Sequence, residues 1–203
     1  MAPVPQLVFL SGSVTAGSKA DRIAAWCAGQ LTSQPVATRV FTGADLEFPF
    51  YRPLVGDHGP AVADYLAALE RADGLVLVSP AYHGSVSGLL KNALDYVNEL
   101  ADARQPFFDG RAIGCVGVAL GEQGATSTVA ALRTIGHALR GWPTPLGVTL
   151  SRESALLDDR GEPQDERARA QLRMMLGQVV TLARLNARRR VEARPPAPEL
   201  QRA

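Results

Sequence analysis

The sequence predicts a doubly wound α/β domain built on a five-stranded parallel sheet in the order 2-1-3-4-5, with helices on both faces. Three observations carry this expectation. Short apolar runs recur along the chain, and most of them close on Ser, Gly or Pro. Segments with apolar residues at three- and four-residue spacing separate these runs, as amphipathic helices do. Strands alternating with helices require right-handed crossovers in a parallel sheet, and five strands favour that order among doubly wound sheets.

The elements follow in sequence. Leu7 to Leu10 reads as the first strand and ends in Ser11-Gly12-Ser13. Ser18 is a helix N-cap with Asp21 three residues on, and Ile23, Trp26, Cys27 and Leu31 form the apolar stripe that follows. Val36 to Phe41 is the second strand, and residues 43–59 form an irregular loop. Pro60 opens a helix whose inner face is Val62, Tyr65, Leu66 and Leu69. The third strand, Gly74 to Ser79, leads through a loop into a helix carrying Leu90, Ala93, Leu94 and Val97. Pro106 to Gly110 is a turn, and Ala112 to Leu120 is the fourth strand. Residues 121–124 form a glycine loop, and the helix after it presents Val129, Leu132, Ile135 and Leu139. Leu146 to Leu150 is the fifth strand. Beyond a polar loop over 152–163, a long last helix places Leu172, Met175, Leu176, Val179 and Leu182 on one side. Residues 1–190 thus form one domain, and 191–203 read as a disordered tail rich in Pro and Arg.

Composition narrows the function. With 203 residues, 46% hydrophobic and 20% charged, the chain reads as a soluble globular protein. A net charge of +1 argues against nucleic acid and lipid surfaces as partners. No signal peptide or membrane span is legible, so the expected location is cytoplasmic. Cys27 and Cys115 sit in apolar surroundings and read as reduced core residues, and no metal site is expected.

Chemistry concentrates in three loops at the carboxyl edge of the sheet, where doubly wound proteins hold ligands. The first runs from Gly12 to Lys19; its hydroxyls, Ser13, Thr15 and Ser18, open a helix, which suits a phosphate. It lacks the Gly-Lys pair of a nucleoside-triphosphate loop and the glycine spacing of a dinucleotide fingerprint. In the second, Pro80, Ala81, Tyr82, His83 and Gly84 let backbone amides approach a flat heterocycle while Tyr82 packs against it. In the third, Gly121, Gln123 and Gly124 offer a close backbone and an amide for a ring carbonyl. The second loop carries no acid and no paired bases, and no catalytic side chain is assigned; a cofactor performs the chemistry.

These residues resemble the NAD(P)H-dependent FMN reductase family of the flavodoxin-like superfold. Members carry Gly-Ser-x-Arg-x-x-Ser-x-Asn in the first loop, where this chain has Gly12-Ser13-Val14-Thr15-Ala16-Gly17-Ser18-Lys19-Ala20. Their Pro-x-Tyr-Asn-Gly-Ser motif, with Leu-Lys-Asn-Ala-x-Asp after it, is matched by Pro80 to Ser85 and Leu90 to Asp95. The third loop matches through Gly121 and Gly124, and the likeness spans residues 6–185. The resemblance implies that Ser13 and Ser18 hold the FMN phosphate. Pro80, Ala81, Tyr82, His83 and Gly84 would line the isoalloxazine, with Gly121, Gln123 and Gly124 at its other edge. It also implies a homodimer or homotetramer, with Lys91, Asn92 and Asp95 supporting the helix and an interface.

Two departures stand out. Thr15 occupies the place of the phosphate-binding arginine, a charge-assisted contact worth roughly 1.5–3 kcal/mol. Lys19 or an arginine elsewhere would have to compensate for it. His83 stands where the family has asparagine, next to the flavin. The implied activity is hydride transfer from NADPH or NADH to FMN, with small-molecule substrates only. Reduced flavin would then pass to a partner monooxygenase or reduce a quinone, azo dye or oxygen. A quinone or azo reductase with bound FMN and a non-catalytic electron carrier remain as alternatives. Arg152, Arg160 and Arg104 are candidate contacts for the nicotinamide dinucleotide, and nothing selects NADPH over NADH.

Overall fold

The computed structural model describes residues 3–53 and 56–192. Strands β1 (Gln6–Ser11), β2 (Ala37–Phe41), β3 (Gly74–Pro80) and β4 (Ala112–Ala119) pair in parallel in the order β2-β1-β3-β4. The far side of β4 carries two short strands in succession. β5 (Trp142–Pro143) pairs with Ala112 and Ile113, and β6 (Val148–Ser151) pairs with Val116 to Ala119. The expected fifth strand is therefore one lane split in two, and its order 2-1-3-4-5 stands. The split follows from Pro143, which has no amide hydrogen to donate to the ladder, and from Pro145-Leu146-Gly147 after it.

Alternation along the strands assigns the two faces. Leu7, Phe9, Val76, Val78, Val116 and Val118 pack on α1 (Lys19–Gly29) and α5 (Glu166–Glu192). Val8, Leu10, Leu75, Leu77, Ile113 and Cys115 face the opposite layer. That layer comprises α2 (Pro60–Arg71), α3 (Gly88–Asp95) and α4 (Glu122–Ala138). Strands buried on both sides need runs of apolar residues without polar alternation, which is what β1, β3 and β4 show. Cys27 and Cys115 lie in the two cores, and burial pushes each thiol up to about 12. α5 extends to Glu192, two residues into the segment read as a tail; residues 193–203 lie outside the described residues.

Two buried charges fasten the amino edge of the sheet. Arg111 has no exposed surface, and its guanidinium donates to the carbonyls of Ala72 (2.7 Å), Glu70 (2.9 Å) and Phe107. Burial pulls its pKa down to about 10. Asp73 accepts from the Gln6 amide at 2.8 Å and from Arg190 at 3.1 and 2.9 Å, which ties the end of α5 to β1 and β3. Beside this junction lies a cavity of about 580 Å³ lined by Arg71, Arg104 and Arg189 among others. Replacing Arg111 with Leu leaves the buried Ala72 carbonyl and the half-buried Glu70 and Phe107 carbonyls without this donor, at about 1–3 kcal/mol for each that water does not reach. Thermal unfolding should then occur about 10 °C lower, at the 2–4 °C per kcal/mol expected for this size; a drop under 3 °C would contradict this account of the edge.

Candidate functional site

Three connections meet at the carboxyl edge of β1, β3 and β4, and packing that admits no extra atom brings them together. A Cβ on Gly12 would lie 2.6 Å from Leu90 Cβ and from Ser87 Oγ, so the first loop lies directly on the start of α3. A Cβ on Gly117 would approach the Ala125 carbonyl oxygen to 2.4 Å, so glycine in β4 seats the first turns of α4. Thr128 of α4 donates to the Ser85 carbonyl at 3.2 Å, and the Ala81 amide donates to Val118 at 2.8 Å. The second and third loops are joined by these bonds.

The first loop, 12–18, presents donors. Ser18 caps α1: its Oγ accepts from the Asp21 amide at 3.1 Å, and the Asp21 carboxylate accepts the Ser18 amide in return at 3.2 Å. The expected cap is thus a full capping box, closed by Asp in the place usually held by Glu or Gln. Ser13 is buried, and its Oγ accepts from the Thr15 amide at 3.3 Å. Both hydroxyls therefore use their oxygens as acceptors and keep their hydrogens to donate. Among the described residues, the amides of Val14, Ala16 and Gly17 donate to no protein acceptor. Gly17 adopts φ +65° with open space where a Cβ would stand. Thr15 and Lys19 are exposed at its rim.

The second loop is a tight reversal. Tyr82 and Ser85 exchange backbone bonds of 3.0 and 3.1 Å across His83 (φ +50°) and Gly84 (φ +84°). Two successive left-handed residues are the signature of a type I′ turn, for which Asn-Gly is the favoured pair. His83 thus stands where the family's asparagine has a conformational reason to be, since histidine also tolerates this region. Its ring is exposed, and the His83 and Gly84 amides have no protein acceptor among the described residues. Pro80 and Ala81 are partly buried at the base of the turn, and Tyr82 is exposed. Below it, Ser79 Oγ accepts from the Ser87 amide at 3.0 Å, and Ser87 Oγ caps α3 through the Leu90 amide at 3.1 Å.

The third connection differs from the expected four-residue loop. α4 begins at Glu122, so Gln123 and Gly124 belong to its first turn and Gly121 is the N-cap. Only residues 120 and 121 link strand to helix, because Gly117 lets α4 start immediately above β4. No side chain caps this seventeen-residue helix, so its first amides are left without a capping acceptor at the carboxyl end of β4. A Cβ on Gly121 or Gly84 would meet nothing within 4 Å, whereas Gly124 packs against Ala81 and Ala119. Open space bounded by small residues, with unpaired amides on two sides and hydroxyl donors on the third, fits a flat heterocycle bearing a phosphate tail.

Several residues with a part in the site carry no sequence signal of their own. Asp21 looks only like a capping partner, yet its buried carboxylate also accepts from Ser11 Oγ at 2.6 Å and the Gly43 amide at 3.4 Å. Asn92, assigned by the resemblance to helix support and an interface, turns inward: it accepts from the Tyr51 amide and donates to the Phe48 and Pro49 carbonyls. Lys91 and Asp95 form an exposed ion pair at 2.6 Å. Arg104 lines the cavity at the amino edge, on the opposite side of the sheet from the three loops, and is removed from the nicotinamide candidates. Among the described residues no group of three metal-ligating side chains occurs, and no helix is long and apolar enough to cross a membrane.

Comparison with known proteins agrees with this geometry. Residues 5–155 match the family described as NADPH-dependent FMN reductase. An FMN-dependent NADPH-azoreductase of Staphylococcus haemolyticus is 26% identical over 181 residues, covering 86% of this chain and 93% of that enzyme. The solved structure of FerB, a flavoenzyme NAD(P)H:(acceptor) oxidoreductase from Paracoccus denitrificans, superposes with a TM-score of 0.70 at 18% identity. That likeness covers 89% of this chain and 96% of FerB. An oxidoreductase from Corynebacterium diphtheriae gives 0.68 at 19% identity, over 89% and 97%. The architecture is flavodoxin-like, and the chain belongs to the NADPH-dependent FMN reductase family of oxidoreductases, which work with FMN and a reduced nicotinamide nucleotide.

Proposed function

We propose that the crevice between the three loops is where this chain carries out NAD(P)H-dependent FMN reduction. What supports this reading is that the uncapped α4 start, the His83 and Gly84 amides and the hydroxyls of Ser13 and Ser18 all lie in connections at the carboxyl edge of the sheet, with open space beside Gly17, Gly84 and Gly121. In this reading Ser13, Thr15 and Ser18 hold the FMN phosphate. Pro80, Ala81, Tyr82, His83 and Gly84 lie along one side of the ring, with Gly121, Gln123 and Gly124 at its polar edge. The chemistry that bound FMN supplies is two-electron exchange between a reduced nicotinamide and an acceptor.

The chain's own contribution is positioning and electrostatics. The positive end of the α4 dipole and its uncapped first amides would stabilise negative charge on a ring held beside them. Gly121 and Gly84 keep the backbone close without covering the ring. Flavin chemistry of this kind needs no side chain in the crevice to move a proton.

A flat aromatic acceptor, a quinone or azo compound, fits the rim. Val14, Phe50, Tyr82 and Leu120 are all exposed, Leu120 at 91%, and each sits in a connection leaving the carboxyl end of a strand. The azoreductase relatives support this choice over release of reduced flavin to a partner monooxygenase. A homodimer or homotetramer, as the resemblance implies, would cover part of the same rim.

The purified protein mixed anaerobically with FMN and NADPH should bleach the flavin's yellow colour; no bleaching with NADPH or NADH would contradict the proposal. Yellow colour surviving desalting, with turnover of an azo dye or quinone, is the result expected for a retained cofactor. Colourless protein active only with added FMN would favour diffusible flavin. Gly121→Val places a side chain in the open space beside α4 at a β-region backbone (φ −124°, ψ 154°) that valine accepts. Flavin affinity should fall by about tenfold or more while the melting temperature drops by no more than about 4 °C, the cost of valine in place of glycine at an N-cap. Unchanged affinity would place the ring elsewhere.

A further inference from the structure

The cavity of about 580 Å³ at the amino edge of the sheet lies at the opposite end from the three loops. Three chain segments wall it: the last turn of α2, the 104–110 connection into β4, and the last two turns of α5. Buried polar groups tie these walls to one another. Arg111 donates to the Glu70 carbonyl at 2.9 Å and to the Phe107 carbonyl, joining α2 to the connection. Asn186 is only 7% exposed, and its Nδ2 donates to the carbonyls of Asp73 at 3.0 Å and Gly110 at 2.9 Å. Arg190 is engaged by the Asp73 carboxylate at 2.9 Å. The walls are thus fixed by the protein's own bonds, so a ligand would enter a site already organised.

Other groups on the same walls have no such partner. Arg71 of α2 and Arg189 of α5 both line the cavity, and among the described residues neither side chain makes a hydrogen bond or ion pair. Cations are favoured in the last turn of a helix, where the dipole leaves about half a negative charge. That preference explains one arginine at each helix end. It does not explain why both meet one cavity beside a buried third guanidinium, Arg111, whose bonds all go to neutral carbonyls. Glu70 and Asp109 share the lining without pairing with Arg71 or Arg189. Asn186 Oδ1 receives no donor among the described residues. The cavity therefore combines guanidinium forks, which match phosphate oxygens, with amide and carboxylate acceptors, which match hydroxyl groups. A phosphorylated sugar carries both kinds of group, and the volume lies within the range of about 300–1,000 Å³ usual for small-molecule sites.

We propose that the amino-edge cavity is a second ligand site, for a phosphorylated sugar, free or within a nucleotide, whose phosphate is met by Arg71 and Arg189. The site is separate from the crevice and does not depend on what the crevice holds. A phosphate held by both arginines links the end of α2 to the end of α5, so occupancy stabilises the fold as well as filling the cavity. Salt weakens the contact, since both arginines are exposed.

The test titrates the full chain with adenosine monophosphate, ribose 5-phosphate and ribose, by calorimetry at low ionic strength with excess FMN present throughout. At least one of the two phosphate-bearing probes should bind and ribose should not; the tighter of the two tells a nucleotide from a free sugar phosphate. The bound probe should slow hydrogen–deuterium exchange at 70–72, 104–111 and 186–190 and leave 12–20, 80–87 and 120–126 unchanged. Arg71→Gln and Arg189→Gln should each weaken binding by about fivefold or more. Arg188→Gln removes an exposed arginine of the same helix that does not line the cavity, and should stay within about twofold of the unmodified chain. Binding of neither phosphate-bearing probe overturns the proposal. So does ribose binding as tightly as they do, protection confined to the three loops, or an equal loss in Arg188→Gln and Arg189→Gln. A chain that fails to bind FMN would undo the reading of the crevice alone, because the exchange pattern still locates the probe.

Discussion

The carboxylate of Asp21, buried at the top of α1, receives the Ser11 hydroxyl from the end of β1, the Ser18 amide from the helix cap and the Gly43 amide from the exit of β2. A desolvated carboxylate needs such donors, each worth roughly 1.5–3 kcal/mol when the acceptor is charged. Their geometry in turn fixes the loop between β1 and α1. Gly43 approaches so closely that a Cβ there would lie 1.5 Å from the Ser13 carbonyl oxygen, so the backbones of the two connections are in direct contact. The orientation of the Ser13 and Ser18 hydroxyls, and with it the character of the crevice, follows from this junction.

The rest of the site is assembled by the same economy. Gly12 against Leu90 and Ser87, Gly117 against Ala125, and Gly124 against Ala81 draw three connections together, and Thr128 Oγ1 donates to the Ser85 carbonyl across the second and third. Close backbone approach leaves amides of these connections without a protein acceptor among the described residues, which is what the proposed recognition of a heterocycle's polar edge uses. A protein whose cofactor supplies the redox chemistry needs only this: a rigid floor, oriented dipoles and one open side. The carbonyl-bonded Arg111 and the Asp73–Arg190 ion pair stand at the other edge of the sheet, where they stabilise the fold.

Most of this organisation was legible in the sequence because the signals are local. Apolar runs in β1, β3 and β4 announced strands buried on both faces, Ser18 and Pro60 announced helix starts, and the Pro80 to Asp95 motif carried the resemblance to the family. What was not legible depends on distant contacts. The start of α4 at Glu122 is set by Gly117 within β4, and nothing in residues 121–124 distinguishes a glycine loop from an uncapped first turn. The splitting of the fifth lane reflects Pro143 and the pairing of β6 further along β4, a register that periodicity does not encode. His83 looked like a chemical substitution beside a ring; its φ of +50° shows that the turn, first of all, constrains that position. Asn92 and Arg111 find their partners forty residues away, beyond the reach of any window read along the chain.

Hydrogen–deuterium exchange with and without FMN tests the central claim most directly, because it reports every backbone amide at once. The account predicts slowed exchange in three separate segments, around 12–20, 80–87 and 120–126, with the 104–111 and 186–190 segments at the amino edge unchanged. Slowed exchange confined to the amino edge, or restricted to one of the three loops, would contradict it.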